Sequence, residues 1–172
     1  MSQQFKTIIV FAIHGKKVDY PYADAILEPE AKLVWAILAK QDEQDRKGKA
    51  KPLLIVMDDL IGSGWQPKTK HKGLFDYLMT TSRHIGISTL FSVQYPFAMS
   101  PLMRENASAV VISTRHVSPE QVRHLGETLP IGKAKLAKSL EGLDKVGKLL
   151  LVEVGPGEPE IIKVPGRYAT VG

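Results

Sequence analysis

The chain contains no cysteine, which excludes a disulfide framework and any thiolate metal site. No apolar run approaches the roughly 20 residues of a membrane-spanning helix, so no membrane partner is expected. The first residues, Met1 to Lys6, lack the basic and then apolar halves of a secretory signal, and an intracellular setting is expected. The five histidines, His14, His71, His84, His116 and His124, are scattered and form no H-x-x-x-H pair, so a histidine-held metal is not indicated. No nucleophile elbow occurs either, because Gly62-Ser63-Gly64 lacks the G-x-S-x-G frame.

What remains is a globular composition. With 172 residues, 44% hydrophobic and 24% charged, the chain suits a single domain spanning 1–172 with a sizeable core. The net charge of +5 favours a polyanionic partner.

The most informative stretch is Leu53-Leu54-Ile55-Val56-Met57-Asp58-Asp59. Five apolar residues without alternation read as a strand covered on both faces, as in a parallel sheet flanked by helices. The two acids at its carboxyl end fall where open α/β sheets bind ligands. Paired carboxylates there need a compensating cation or donor, and a magnesium ion carrying a nucleotide supplies one. The ordinary alternative is that both acids cap the following segment.

Further strands are expected at 7–13, 87–93, 109–113, 148–154 and 160–164. The last two are joined by Gly155-Pro156-Gly157-Glu158-Pro159, which reads as a hairpin turn. Helices are expected at 29–46, with Pro29 in a Glu-rich first turn and Leu33, Ile37 and Leu38 on one face, and at 72–84, 118–128 and 132–143. Ser118-Pro119-Glu120-Gln121 has the spacing of a capping box. This alternation argues an α/β fold, a mostly parallel sheet flanked by helices with an antiparallel C-terminal β-hairpin.

Downstream of the acids lies Thr81-Ser82-Arg83-His84-Ile85-Gly86-Ile87-Ser88. Arg83, at a helix end before the next strand, is expected on the same sheet edge as Asp58 and Asp59, where it can stabilise phosphoryl charge. An exposed arginine complementing the helix dipole is the more frequent fate of such a residue. Gln94 ends the strand 87–93 and, beside a magnesium-binding strand, can orient a water and sense a γ-phosphate. Pro96 follows, then Ser100-Pro101-Leu102-Met103-Arg104-Glu105-Asn106, a short helix carrying a second basic residue.

The order of these parts resembles the genome-packaging ATPases of poxviruses and other large DNA viruses, members of the FtsK–HerA group of P-loop DNA motors. The resemblance rests on the apolar strand ending Asp58-Asp59, then Ser82-Arg83-His84 with Ile87-Ser88, the strand ending Gln94 with Pro96, and Pro101-Leu102 with Arg104, Asn106 and Ala107; it spans about residues 5–115. It implies magnesium coordination by Asp58, water activation by Asp59, a sensor role for Gln94, and phosphate sensing or trans-subunit contact for Arg83 and Arg104. ATP and Mg2+ are the implied cofactors. The implied partners are double-stranded DNA and either a homo-oligomeric ring or a P-loop-bearing subunit. A virion or the cytoplasm or nucleus of a host is the implied location.

One departure is large. The family's P-loop, G-x-x-x-x-G-K-[ST], does not occur in this sequence. Gly62-Ser63-Gly64-Trp65-Gln66-Pro67-Lys68-Thr69 mimics it, but Pro67 replaces the glycine, removes a cradling N–H and restricts Gln66. That segment reads instead as a basic loop in which Lys68, Lys70 and Lys72 touch DNA phosphates and Trp65 offers a stacking surface. A solvated lysine cluster is the plainer alternative, and Lys133, Lys135, Lys138, Lys145 and Lys148 extend the basic character. Two rival functions stand beside the motor: a catalytically inactive DNA-binding or scaffold subunit, and a metal-dependent phosphoesterase built on Asp58 and Asp59.

Overall fold

In the computed structural model, which describes residues 4–60, 64–65, 70–94, 99–113, 118–129, 132–140, 149–153 and 160–164, the apolar runs become strands. Strands β1 (Thr7–Phe11), β2 (Ala25–Leu27), β3 (Leu53–Asp58) and β4 (Ile87–Ser92) form one sheet in the order β2-β1-β3-β4. Every pairing in it is parallel, with Ile9 beside Ile55 and Ile55 beside Thr89. The α/β class expected from the sequence is the class observed.

One face of this sheet carries Phe11, Leu53, Ile55 and Met57, packed with Val34 and Leu38 of α1 (Ala31–Arg46) and Leu74, Phe75 and Leu78 of α2 (Lys72–Thr80). The other face is a smaller cluster of Val10, Val56, Ala12 and Ala23, with Tyr20 and Ile26 packed on it. The β1–β2 connection therefore covers this second face. Both faces of β3 are occupied, which is why its sequence shows no alternation.

Helix α1 begins at Ala31, two residues later than expected, because Glu30 is extended (φ −132°, ψ 122°) and serves as its N-cap. No acid then lies in its first turn. Val34 and Leu38, four apart, are its most buried residues, with Leu33 and Ile37 half-buried against the same cluster. It stops where Gly48 takes a positive φ of 65°. The helix expected over 72–84 is broken: α2 ends at Thr80, and a 3₁₀ turn, Ser82–Ile85, runs into Gly86. Ser82 Oγ donates to Leu78 O at 2.6 Å, and Gly86 closes the turn with φ 75°, a left-handed conformation that suits a residue without Cβ. Strand β2, only three residues long, was too short to register in the sequence pattern.

The chain divides into two compact units, Met1–Met103 and Arg104–Gly172. Helix α3 (Pro101–Glu105) straddles that division. The second unit has its own antiparallel sheet, β5 (Ala109–Ser113), β6 (Leu149–Glu153) and β7 (Glu160–Val164), in the order β5-β6-β7. The expected hairpin of the last two strands is present as the β6–β7 pair, and β5 joins it rather than the parallel sheet. Helices α4 (Pro119–Thr128) and α5 (Lys133–Leu140) bury Leu125 and Leu136, with the C-cap residue Leu129, against Ile112 and Val152. The capping box of α4 is formed: Gln121 N donates to Ser118 Oγ at 3.2 Å, and Ser118 N donates to Gln121 Oε1 at 2.8 Å. Gly126 lets α4 and α5 touch, since a Cβ there would stand 2.4 Å from Lys133 Cα. Lys68, Pro96, His116, Lys145, Lys148 and the turn 155–159 lie outside the described residues.

Among the described residues no helix is long and apolar enough to cross a membrane.

Candidate functional site

Because all four strands of the first sheet are parallel, their carboxyl ends share one edge. The β3–β4 register pairs Asp58 with Ser92, so Asp59 and Gln94 leave their strands side by side. Gln94 Nε2 donates to Asp59 Oδ2 at 2.8 Å. Two residues picked out separately in the sequence are thus joined across a gap of 35 positions.

Asp59 adopts φ 48°, in the left-handed region that aspartate tolerates better than most residues. The cause is local. Met57 and Leu60 both pack into the same apolar cluster, so the chain must reverse over two residues, and Asp59 at the bend points outward and is exposed. Asp58, half-buried, has a different partner. Tyr20, on the β1–β2 connection, donates its hydroxyl to Asp58 Oδ2 at 2.5 Å. That bond, with burial and the nearby carboxylate charge adding to it, pushes the Tyr20 hydroxyl up to about 12. Sequence reasoning missed Tyr20. Its distance of 38 positions from Asp58 left no spacing to read, although Tyr20-Pro21-Tyr22 does follow a strand ending at the same edge.

Arg83 sits elsewhere. It precedes β4, and the register Leu53–Ile87 places the start of β4 beside the start of β3. Arg83 therefore lies at the amino edge, roughly five residues or about 16 Å of strand from Asp58, which corrects the expectation of a shared edge. The physical reason is simple: in a parallel sheet, residues before one strand and after its neighbour stand at opposite ends. Arg83 is exposed there. Arg104 is half-buried in α3 and belongs to the second unit.

Trp65 also differs from expectation. It is only 5% exposed, its indole N–H donates to Pro29 O at 3.3 Å, and His71 stacks on it with ring centroids 4.6 Å apart. Phe75 meets it edge-on at 5.9 Å. Trp65 is thus a core residue, corrected from the stacking surface expected for it: an apolar ring beside Phe75 is worth more inside than in solvent. Burial, with the Lys70 charge adding to it, holds the His71 imidazole below its usual range. Lys70 and Lys72 are exposed, and Lys72 pairs with Asp76 one helical turn away at 2.5 Å.

Among the described residues no group of three or more His, Cys, Asp or Glu is placed to hold a metal ion. The site instead offers two adjacent carboxylates, each oriented by a neutral donor. Such a pair fits a hydrated magnesium ion delivered with a nucleotide, which keeps several waters, rather than a dedicated all-protein cage. Chemically, the arrangement can bind a cation's water shell at Asp58 and polarise a water at Asp59.

No protein-family model and no curated protein matches this sequence. Solved structures do. The genome packaging NTPase B204 from Sulfolobus turreted icosahedral virus 2, in complex with AMPPCP, superposes with a TM-score of 0.67 at 15% identity, over 92% of this chain and 82% of that one. B204, the DNA-packaging ATPase from Sulfolobus turreted icosahedral virus, gives 0.66 at 13% identity, over 94% and 83%. The cytoplasmic domain of the Thermomonospora curvata type VII secretion ATPase EccC gives 0.65 at 14% identity, over 98% of this chain and 22% of that chain. This chain has the α/β fold that these ATPases share.

Proposed function

We propose that this chain is the acid-bearing part of a DNA-packaging ATPase, in which ATP hydrolysis drives double-stranded DNA through an oligomeric ring. The observation that carries this reading is the Asp58–Asp59 pair at the carboxyl edge of a parallel sheet, with Gln94 hydrogen-bonded to Asp59. The fold shared with viral packaging NTPases supports it, and complexes of such an NTPase with nucleotide analogues support ATP as the ligand.

In this reading Asp58 holds the magnesium of Mg-ATP through its water shell. Asp59 accepts a proton from the attacking water, and Gln94 both orients Asp59 and registers the γ-phosphate. Arg83, at the far edge from its own acids, serves a neighbouring subunit's nucleotide, and Arg104 is a second candidate for phosphate contact. Lys68, Lys70 and Lys72, on the segment after β3, grip DNA phosphates without reading bases. No G-x-x-x-x-G-K-[ST] motif occurs in these 172 residues. The phosphate cradle comes from another segment or subunit, and the outer edge of β4, unpaired among the described strands, can accept a further strand.

The absent P-loop sustains one alternative, a catalytically inactive DNA-binding or scaffold subunit. Calorimetry on the isolated chain separates these ideas from a self-sufficient ATPase. We expect ATP binding weaker than micromolar, because the amide cradle and its lysine supply most of the phosphate affinity. Adding a P-loop-bearing partner should restore DNA-stimulated ATP hydrolysis. A complex that binds DNA and never turns over ATP would leave the scaffold reading.

A further inference from the structure

We propose that Tyr20 is a positioning residue for Asp58, fixing which carboxylate oxygen faces a divalent cation. This rests on the reading of Asp58 as the magnesium-holding acid. Among the described residues Tyr20 is the one hydrogen-bond donor to the Asp58 side chain, at 2.5 Å from Oδ2. A carboxylate at the end of a strand otherwise rotates about its last torsion and can offer a cation either oxygen or both. With Oδ2 engaged by a neutral hydroxyl, Oδ1 is left as the oxygen for the cation's water shell, and the full negative charge is retained.

The connection that carries Tyr20 is built to hold it there. Ala23 N donates to Tyr20 O at 3.0 Å, and Lys16 N donates to Asp19 Oδ2 at 3.2 Å. The Lys17 ammonium donates to the Ala23 carbonyl. The connection's far end is tied to β1, where Ile8 N donates to Asp24 Oδ2 at 2.7 Å and Asp24 N donates to Ile8 O at 2.9 Å. Gly15 completes the fit. A Cβ at that position would stand 3.0 Å from Ala12 Cβ and Ile26 Cγ2, and 3.2 Å from the Tyr20 ring at Cε2. The ring lies in space that a side chain at residue 15 would contest. Tyr22 meets the Tyr20 ring edge-on at 6.3 Å. The two acids are therefore oriented independently, Asp58 by the β1–β2 connection and Asp59 by the end of β4.

The test uses Mn2+ as the probe and reads paramagnetic broadening of backbone amide signals near Asp58, which detects weak binding without any turnover. Parent, Tyr20→Phe, Tyr20→Ala, Tyr22→Phe and Asp58→Asn are titrated with Mn2+ alone. Deleting the hydroxyl in Tyr20→Phe should weaken Mn2+ binding about tenfold, the usual effect of losing a partner that orients a ligand. The carboxyl 13C signal of Asp58 should move in the same variant, Tyr22→Phe should match the parent, and Asp58→Asn should lose the broadening. If Asp58→Asn abolishes binding while Tyr20→Phe binds as the parent does, Asp58 keeps its role and the positioning role is overturned. Parent-like binding by Tyr20→Phe with loss in Tyr20→Ala assigns the residue to packing, which also overturns it. No localised broadening in the parent removes the reading of Asp58 and this proposal with it.

Discussion

The two ends of the parallel sheet are built from the same four strands and behave as different materials. At the amino edge, polar groups close on one another. Gln41 Nε2 donates to Lys51 O at 2.9 Å and to Ile85 O at 3.0 Å, Leu53 N donates to Gly86 O at 3.0 Å, and Lys6 N donates to Pro52 O at 2.9 Å. At the carboxyl edge, two carboxylates are held by Tyr20 and Gln94 and still face solvent in part, and Asp59 and His14 both take positive φ. One edge uses its polar groups to join elements together. The other keeps charge and left-handed backbone at residues other than glycine, His14 and Asp59, and such features gather where a structure does chemistry.

The comparison breaks first at Asp59, where the largest effect is expected. In a motor completed with a P-loop, Asp59→Asn should lower ATP turnover by at least about 100-fold, the lower end for removing a general base. Asparagine tolerates the left-handed backbone, so urea unfolding should change little. Asp58→Asn should instead weaken Mg-nucleotide binding. Steady-state kinetics showing normal turnover in Asp59→Asn would make both acids caps, and the carboxyl edge would be as structural as the amino one.

A second, smaller effect tests how far the carboxyl edge extends along the segment after β3. Replacing Lys68, Lys70 and Lys72 together by Ala should weaken duplex DNA binding equally for all sequences. It should also reduce the slope of log affinity against log salt by about 2.7, the value for three phosphates. Lys72 already pairs with Asp76, but an exposed pair of this kind is worth little and yields readily to a phosphate. An unchanged salt slope by fluorescence anisotropy would confine the edge to the acids.

At the amino edge the expected cost is stability alone. Gly86→Ala places a Cβ in a left-handed conformation and should cost about 1–2 kcal/mol of unfolding free energy, with Mn2+ binding at Asp58 unaffected. A loss of cation binding in that variant would show that the two ends are coupled through β3 and β4.

The smallest effect concerns His71. Its imidazole is held below the ordinary value of 6.5 by burial, so its neutral form is favoured in the fold. The stability this implies is complete above pH 6.5 and is lost as pH falls from there toward the lower folded value. Unfolding midpoints at pH 7.5 and 5.5 should show a modest drop that His71→Phe flattens, since phenylalanine keeps the stack on Trp65 and removes the titration. A parent profile that is flat between those values would place His71 in solvent.

The apolar run of β3 was legible because composition without alternation has few physical meanings, and the strands expected over 7–13, 87–93 and 109–113 begin at the residues named. Ser118 to Gln121 announced a helix start because a capping box is entirely local. The misplacement of Arg83 shows where such reading stops. Chain order says that Arg83 precedes a strand, but which edge it shares with Asp58 depends on strand direction, and only the parallel register settles that. Trp65 failed for a related reason: basic neighbours suggested exposure, while its burial is decided by Pro29 and Phe75, elements the local sequence does not reveal.

By itself the sequence determined the α/β class and the two acids at a strand end, and it carries no G-x-x-x-x-G-K-[ST] motif in these 172 residues, because each is read from residues near one another in the chain. Tertiary structure decided the partners of those acids. Gln94 reaches Asp59 and Tyr20 reaches Asp58 across 35 and 38 positions, and Arg83 is carried to the opposite edge. Hydrogen bonds of a few ångströms between distant segments are fixed by strand register and by the path of connections, and no periodicity in the chain encodes either.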